Sequence, residues 1–294
     1  MALDIVIMAA GQGTRMKSAL PKVLHKLAGR PLLQHVVEAA SQLGADTIIA
    51  ITGHGAEAVE AAIQAPKLTF VRQTPQLGTG HAVQQAVPQL HDTGTTLILN
   101  GDVPLIRPAT AQALVAASGG DKLALLTIEL SDPSGYGRVV REGGRVHAIV
   151  EHKDATPSQR EVREAYTGIM AAPTAALKGW LAKLGCNNAQ GEYYLTDVVA
   201  LAVAEGVPVV AVPAQDETEV LGVNSPLQLA DLERRFQRTQ AETLMQAGVR
   251  LADPARLDVR GELSCETDVE IDVNCVFEGD VSLGDGVRIG ANCV

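Results

Sequence analysis

Apolar residues in the first part of the chain fall in short β-branched runs separated by stretches with helical spacing. Leu3–Met8, Thr47–Thr52, Leu68–Arg72 and Thr95–Leu99 read as strands. Helices are predicted over Leu32–Leu43, from about Ala56 to Ile63, and over Gly80–Leu90. Nearly continuous apolar strands alternating with helices predict an α/β fold whose parallel sheet is covered on both faces. Beyond about residue 120 the texture shifts. Leu123–Leu130, Arg138–Val140, Val146–Val150 and Tyr166–Ala171 read as strands joined by short Gly-containing turns, which predicts a mixed extension of the sheet. Helical stretches near Ala175–Leu184 and Leu195–Ala204 precede a strand at Val207–Val212.

Pro226 opens a long helical segment to about Gln246, with Leu229, Leu232 and Phe236 on one stripe and charges elsewhere. Gly248 is placed to end it. A helix this polar reads as a strut between domains. After it, apolar residues recur every six: Ile271, Phe277, Leu283, Ile289, and in a second register Val269, Cys275, Val281, Val287, Cys293. A hexapeptide period with glycines and aspartates in the gaps marks a parallel β-helix, although a small β-hairpin domain could mimic it over so short a span. Three hexads per coil would stack Cys275 and Cys293, 18 residues apart, as small core residues. The pattern covers little more than one coil, so the sequence is expected to be the front part of a longer protein. Its segments are expected at 1–225, 226–248 and 249–294.

The length of 294 residues favours two domains over one, and 46% hydrophobic with 20% charged residues describes a globular chain. A formal net charge of −10 argues against nucleic acid or an anionic membrane as partner. Charge is segregated, however. Between Met1 and Val37, Asp4 is the one acid among Arg15, Lys17, Lys22, Lys26 and Arg30. Cys186, Cys265, Cys275 and Cys293 lack zinc spacing and the density of a secreted scaffold. With no apolar run of membrane length and no signal-peptide pattern, a cytoplasmic location is the expectation.

Three motifs carry chemistry. The first strand runs into Gly11-Gln12-Gly13-Thr14-Arg15-Met16, where glycines let backbone N–H groups approach phosphate oxygens. Met16 replaces the third glycine of a dinucleotide fingerprint, and no Gly-Lys-Ser/Thr of a P-loop follows. Arg15 and then Leu20-Pro21-Lys22 add cations. The second motif, Asn100-Gly101-Asp102-Val103-Pro104, ends an apolar strand in an acid, at the edge where open α/β sheets bind ligands. One carboxylate plus substrate phosphates suits Mg²⁺; a helix-capping role for Asp102 is the alternative. The third, Gln73-Thr74-Pro75-Gln76-Leu77-Gly78-Thr79-Gly80-His81, offers amides and exposed backbone to a base, or simply a turn and a helix start.

These motifs, with Gly135-Tyr136-Gly137-Arg138, Glu151-His152-Lys153-Asp154-Ala155, Asn188-Ala189-Gln190-Gly191-Glu192-Tyr193-Tyr194-Leu195-Thr196-Asp197 and Gly222-Val223-Asn224, occur in one order. In that order the chain resembles the bacterial N-acetylglucosamine-1-phosphate uridylyltransferases, the front half of a bifunctional enzyme, along essentially its whole length. The resemblance implies a Rossmann-like nucleotidyltransferase domain, a linker helix and the first coil of a left-handed β-helix acetyltransferase. It implies Mg²⁺-dependent synthesis of UDP-N-acetylglucosamine and pyrophosphate from UTP and N-acetylglucosamine 1-phosphate, feeding cell-wall and lipopolysaccharide synthesis. Met8, Ala9, Ala10, Gly11, Gln73, Gly78 and Thr79 would then hold UTP, with Lys22 and Arg15 facing the triphosphate. Asp102 and Asn224 would hold the metal. The sugar side would comprise Asn100, Gly101, Asp102, Gly137, Glu151, Tyr166 and Asn224. Two positions depart from the pattern: Tyr166 stands where the family usually has an Asn that contacts the sugar, and Asn100 where an aromatic residue is common. Family members are trimers through the β-helix, and acetyl transfer is expected to be absent from these 294 residues. Transfer from dTTP or onto glucose 1-phosphate, and a non-catalytic sugar-nucleotide sensor, remain as rival readings.

Overall fold

A computed structural model describes residues 2–294. β1 (Leu3–Met8) starts the chain; a loop with two 3-10 turns and the hairpin β2 (Lys26–Leu27) and β3 (Arg30–Pro31) leads to α1 (Leu32–Ser41). Then come β4 (Thr47–Thr52), α2 (Ala56–Ala62), β5 (Leu68–Arg72), α3 (Thr79–Ala86), β6 (Thr95–Asn100) and α4 (Pro108–Ser118). β7 (Leu123–Glu129), β8 (Gly137–Glu142), β9 (Arg145–Val150), α5 (Pro157–Arg160), β10 (Glu164–Pro173), α6 (Thr174–Leu181), α7 (Asp197–Ala204) and β11 (Val209–Pro213) follow.

These strands make one nine-stranded sheet in the order β11-β7-β10-β6-β1-β4-β5, with the β8–β9 hairpin attached through β10. β6, β1, β4 and β5 run parallel, while β10 is antiparallel to β6, β7 and β8. The expected parallel half and mixed extension are both present. Strand periodicity divides the core into two layers. Ile5, Ile7, Leu97 and Leu99 face Leu33, Val36, Val37 and Leu114 of α1 and α4. Val6, Ile98 and Leu125 face Val83, Trp180 and Val198 of α3, α6 and α7.

Helix ends moved from their expected positions for local reasons. α3 begins at Thr79 and gives way to a 3-10 turn at Val87–Gln89, where Pro88 lacks an N–H to continue the helical ladder. α7 begins at Asp197 rather than Leu195, because the chain enters it through a tighter turn in which Asp197 N bonds Tyr194 O at 3.3 Å and Val198 N bonds Leu195 O at 3.1 Å.

α8 (Pro226–Gln246) follows the sheet, capped by the Ser225 hydroxyl, and Gly248 at φ +102° turns the chain out of it. One end packs Leu232 against Met16, Leu27 and Val223, the other sets Ala241 against Val259 and Ile271. Between them Gln237 is buried, a polar residue that the apolar stripe did not anticipate. Its amide accepts from Val259 N at 2.8 Å and donates to Val259 O at 2.8 Å. A fully bonded amide is tolerated inside because its desolvation is compensated.

The last segment winds with parallel pairing: β12 (Arg250–Leu251), β13 (Leu257–Cys265), β14 (Glu270–Ile271), β15 (Cys275–Leu283) and β16 (Arg288–Ile289) pair as β12-β14-β16 and β13-β15. Partners lie 18 residues apart in β13–β15 and β14–β16, as in Ser264–Ser282 (2.8 Å), and Asn274 meets Asn292 at the same spacing (3.0 Å), while β12 and β14 are offset by 20. Val269, Ile271, Cys275 and Phe277 point inward. Cys275 is the small core residue its column required, but Cys293 is exposed and is not a core residue here. No helix among the described residues is long and apolar enough to cross a membrane.

Candidate active site

β1 and β6 end side by side, with Met8 opposite Asn100, so the loops that follow both strands open onto one edge of the sheet. A cavity of about 430 Å³ lies there, lined by Met8, Ala9, Ala10, Gly11, Lys22, Gln73, Gly78, Thr79, Asn100 and Asp102 among others. The glycines of the loop have distinct duties. Gly11 has open space where a Cβ would stand. Gly13 sits at φ +62°, and a Cβ there would fall 2.6 Å from the Lys22 Cβ. Glycine at 13 is therefore what lets the Lys22 stem pack across the loop.

Gln73 is buried, its amide donating to the Gly78 carbonyl at 2.9 Å, which closes the 73–78 loop on itself. Gly78 has φ +106°, and a Cβ would come within 2.6 Å of the Tyr193 carbonyl. The segment around Tyr193 is stitched to this loop: Gly80 N donates to Tyr193 O at 2.7 Å and Tyr193 N to Leu77 O at 2.8 Å. Thr79 lines the cavity at the start of α3 while its hydroxyl accepts from Leu195 N.

Lys22 carries the positive charge of this cavity. Its Nζ pairs with Asp102 Oδ2 and donates to Asn224 Oδ1 at 3.0 Å. Asn224 is delivered by backbone, since Val223 N donates to the Asp102 carbonyl at 2.9 Å. Both assigned metal ligands thus converge on one point, although 122 residues separate Asp102 from Asn224 in sequence.

A second cavity, about 360 Å³, adjoins the first and is lined by Gly137, Glu151, Tyr166, Thr167, Thr196 and Asn224. Met8, Thr79, Asn100 and Asp102 line both. Glu151 Oε1 accepts from the Thr196 hydroxyl at 3.0 Å, and burial raises the Glu151 carboxyl above its ordinary range despite that bond. At Gly137 a Cβ would lie 2.7 Å from Ile149 Cγ2, so only glycine leaves this wall open. The Tyr166 hydroxyl is buried without a hydrogen-bond partner; burial first, and the Glu151 charge second, push its ionisation well above the ordinary phenol value. Asn100 does more than lend its backbone: its amide donates to the Thr167 carbonyl at 3.3 Å, beside the register shift in β10.

Not every expected residue gathers here. Arg15 is exposed in a 3-10 turn and lines neither cavity. Gly101 stands behind the site, its N–H donating to the Met8 carbonyl at 2.9 Å. The basic cluster disperses as well, Arg30 pairing instead with Glu38 and Glu262. Thr196 and Glu192 were not expected and line the cavities, and Gln76 of the third motif lines the first. Thr196 and Glu192 lie inside the quoted Asn188–Asp197 motif, which was the available signal.

Residues 5–181 match the model of the MobA-like NTP transferase domain. The chain belongs to this family. The matched NTP transferase region holds the first cavity's Met8–Gly11 loop, Lys22, Gln73 and Asp102, along with Glu151 and Tyr166 of the second. Full-chain relatives share its sequence beyond that region. The "Bifunctional protein GlmU" of Methylibium petroleiphilum is 71% identical over 99% of this chain and 65% of its own length. That of Janthinobacterium sp. is 62% identical over 99% of this chain and 65% of its own. This chain therefore spans 65% of the length of these relatives. Among solved structures, a UDP-glucose pyrophosphorylase complexed with UDP-glucose superposes with a TM-score of 0.66 at 18% identity, over 81% of this chain and 100% of that one. A nucleotidyl transferase from Methanothermobacter gives 0.58 at 23%, over 81% and 99%. At such identities the likeness concerns the fold.

Proposed function

We propose that this NTP transferase makes UDP-N-acetylglucosamine and pyrophosphate from UTP and N-acetylglucosamine 1-phosphate. The observation that carries the reading is the junction of two cavities at Met8, Thr79, Asn100 and Asp102, with Lys22 at the seam. The first cavity, floored by glycines and buried amides, suits a nucleotide with its phosphates. The second, with the half-buried Glu151 carboxylate among the hydroxyls of Tyr166, Thr167 and Thr196, suits a polyhydroxylated acceptor whose phosphate reaches the seam near Asp102. An acceptor oxygen forms a bond to the α-phosphorus while the bond to the β-phosphate oxygen breaks, its electrons leaving on pyrophosphate. The acceptor phosphate is already anionic near neutrality, so no general base is required. The protein positions two polyanions and neutralises charge as it redistributes. Lys22 would do this at the triphosphate, and Glu151 would accept hydrogen bonds from the sugar. The uridine and phosphates would rest on Met8–Gly11, Gln73, Gly78 and Thr79, and Gly137, Tyr166 and Asn224 would complete the sugar side.

The residues assigned to Mg²⁺ fit it. Asp102 and Asn224 offer hard oxygens that already converge on a cation, the Lys22 ammonium. No cluster of three or more His, Cys, Asp or Glu exists among the described residues, which accords with an ion taking its other ligands from phosphate and water. When bound, it would supply charge neutralisation at the phosphates.

We further read 1–225 as the catalytic domain, 226–248 as a linker helix and 249–294 as the start of a left-handed β-helix, with the full-length protein a homotrimer. The test is pyrophosphate release across UTP, dTTP and other nucleotides against several sugar 1-phosphates, with and without Mg²⁺. Mg²⁺-dependent release strongest with UTP and N-acetylglucosamine 1-phosphate is expected. Release with glucose 1-phosphate or dTTP at equal rates would overturn the substrate assignment.

A further inference from the structure

The contacts Lys22 makes in the ligand-free protein and the metal role proposed for Asp102 and Asn224 cannot coexist. Lys22 is to face the triphosphate, while Asp102 and Asn224 are to hold a divalent ion. In the ligand-free protein the Lys22 ammonium is bonded to both of their oxygens, Asp102 Oδ2 and Asn224 Oδ1. A Mg²⁺ ion must approach its oxygens to about 2.0–2.1 Å. An ammonium already holding the same two oxygens excludes it by space and by like charge. The pair is also shielded from water, with the Lys22 and Asp102 side chains 13% and 19% exposed, so solvent screens the repulsion little.

We propose that Lys22 is a placeholder cation: it holds the divalent site assembled and closed until a triphosphate draws its ammonium away. This rests on the metal assignment made above. The stem is built for such a change. Gly13 packs against the Lys22 Cβ and Cγ, fixing the root of the side chain and leaving only its outer bonds to swing. The backbone that carries the two oxygens is held independently of Lys22, since Asp102 lies in the turn closed by the Val103 N–H to Asn100 carbonyl bond of 3.1 Å. Asn224 is fixed by its own N–H to the Gln228 side chain at 2.9 Å. Lys22 is thus a positioning residue in the empty protein and a phosphate ligand in the loaded one. The divalent ion then enters with the nucleotide rather than before it.

The test is Mn²⁺ binding to the whole chain without nucleotide, followed by electron paramagnetic resonance and calorimetry. The wild type is expected to bind Mn²⁺ at least tenfold more weakly than Lys22→Met, which keeps the stem and loses the charge. Lys22→Arg, which restores a cation, should return to weak binding, and the double variant Lys22→Met with Asp102→Asn should lose the gained site. Equal Mn²⁺ affinity in wild type and Lys22→Met, or a gain that survives Asp102→Asn, would overturn the proposal. Should Lys22→Met fail to fold by circular dichroism, Lys22→Gln takes its place with the same expectation. Pyrophosphate release by the wild type is scored separately. Turnover with unchanged Mn²⁺ affinities removes the placeholder alone, whereas the Mn²⁺ pattern without turnover removes the substrate reading and leaves the placeholder standing.

Discussion

The two cavities share a wall but are made differently. The first cavity is built mainly from the loop after β1 and the loop before α3, joined by Lys22, Asn100, Asp102 and Glu192, and its glycines and alanines cluster in Ala9–Gly11, Gly78 and Ala82. The acceptor-side cavity draws Gly137, Glu151, Tyr166, Thr196 and Asn224 from five separate segments and lines itself with side chains. A surface of backbone N–H groups can serve any phosphate chain. A surface of buried hydroxyls around the Glu151 carboxylate discriminates, because a wrong ligand leaves buried groups unpaired. Under the proposed function, the first cavity would handle charge and the second would choose the acceptor.

The hardest blow to that division comes from the seam. Lys22→Ala should lower turnover about 10²–10³-fold with the acceptor KM little changed, as for other groups that meet developing charge. If the loss appeared only in the acceptor KM, the sides would have been assigned in reverse. Asp102→Ala should cost about 10²-fold and make activity insensitive to the Mg²⁺ concentration, read in the same pyrophosphate assay.

Glu151→Gln is expected to raise the acceptor KM about 10–100-fold, the scale of a hydrogen bond to a charged group, and to leave the UTP KM alone. Its pH behaviour sharpens the assignment. Because burial raises the Glu151 pKa, acceptor binding in the wild type should begin to weaken on acidification at a higher pH than an ordinary glutamate would show. That limb should vanish in Glu151→Gln. Linkage gives a second reading: an acid with a raised folded pKa favours the fold below its unfolded pKa, and that advantage is lost as pH rises through the folded value. Glu151→Gln should therefore raise Tm more at pH ~7 than at pH ~4 in parallel thermal melts. The smallest effect belongs to Tyr166→Phe. Removing one neutral hydrogen bond should raise the acceptor KM by about threefold to tenfold. Deleting an unpartnered buried hydroxyl should at the same time lift Tm by roughly 2–4 °C. An unchanged acceptor KM would take Tyr166 out of the sugar side.

The same contrast governs what could be read from the sequence. The nucleotide side was legible because its parts are local: a strand, a Gly-x-Gly turn and Lys22 lie within 20 residues, and Gly13 is a glycine for the sake of Lys22 itself. Arg15 sits in the same stretch, yet its 3-10 turn leaves it exposed, and no periodicity announces such a turn. In the second cavity, Glu151 and Gly137 stood in motifs, while placing Thr196 of the Asn188–Asp197 motif required knowing that the Thr79 hydroxyl and the Tyr193 carbonyl tie its segment to the loop before α3. The sheet itself was legible almost strand by strand, since short, nearly continuous apolar runs bounded by turns and helices need no tertiary knowledge. The burial of Gln237 was not, because its partner, the Val259 backbone, lies 22 residues further on.

The 18-residue offset of the terminal strands makes length a quantised property of that segment. Arg260 meets Glu278, Thr267 meets Asp285 and Asn274 meets Asn292, each one turn of the chain above the other. Inserting a whole turn duplicates every column, whereas inserting a single residue moves each inward side chain to the outer face from that point onward. The first turn shows where extra residues can go: Arg250 pairs with Glu270, 20 residues on, and the two additional residues lie at the corner that holds the 3-10 turn Pro254–Arg256, outside the strand columns.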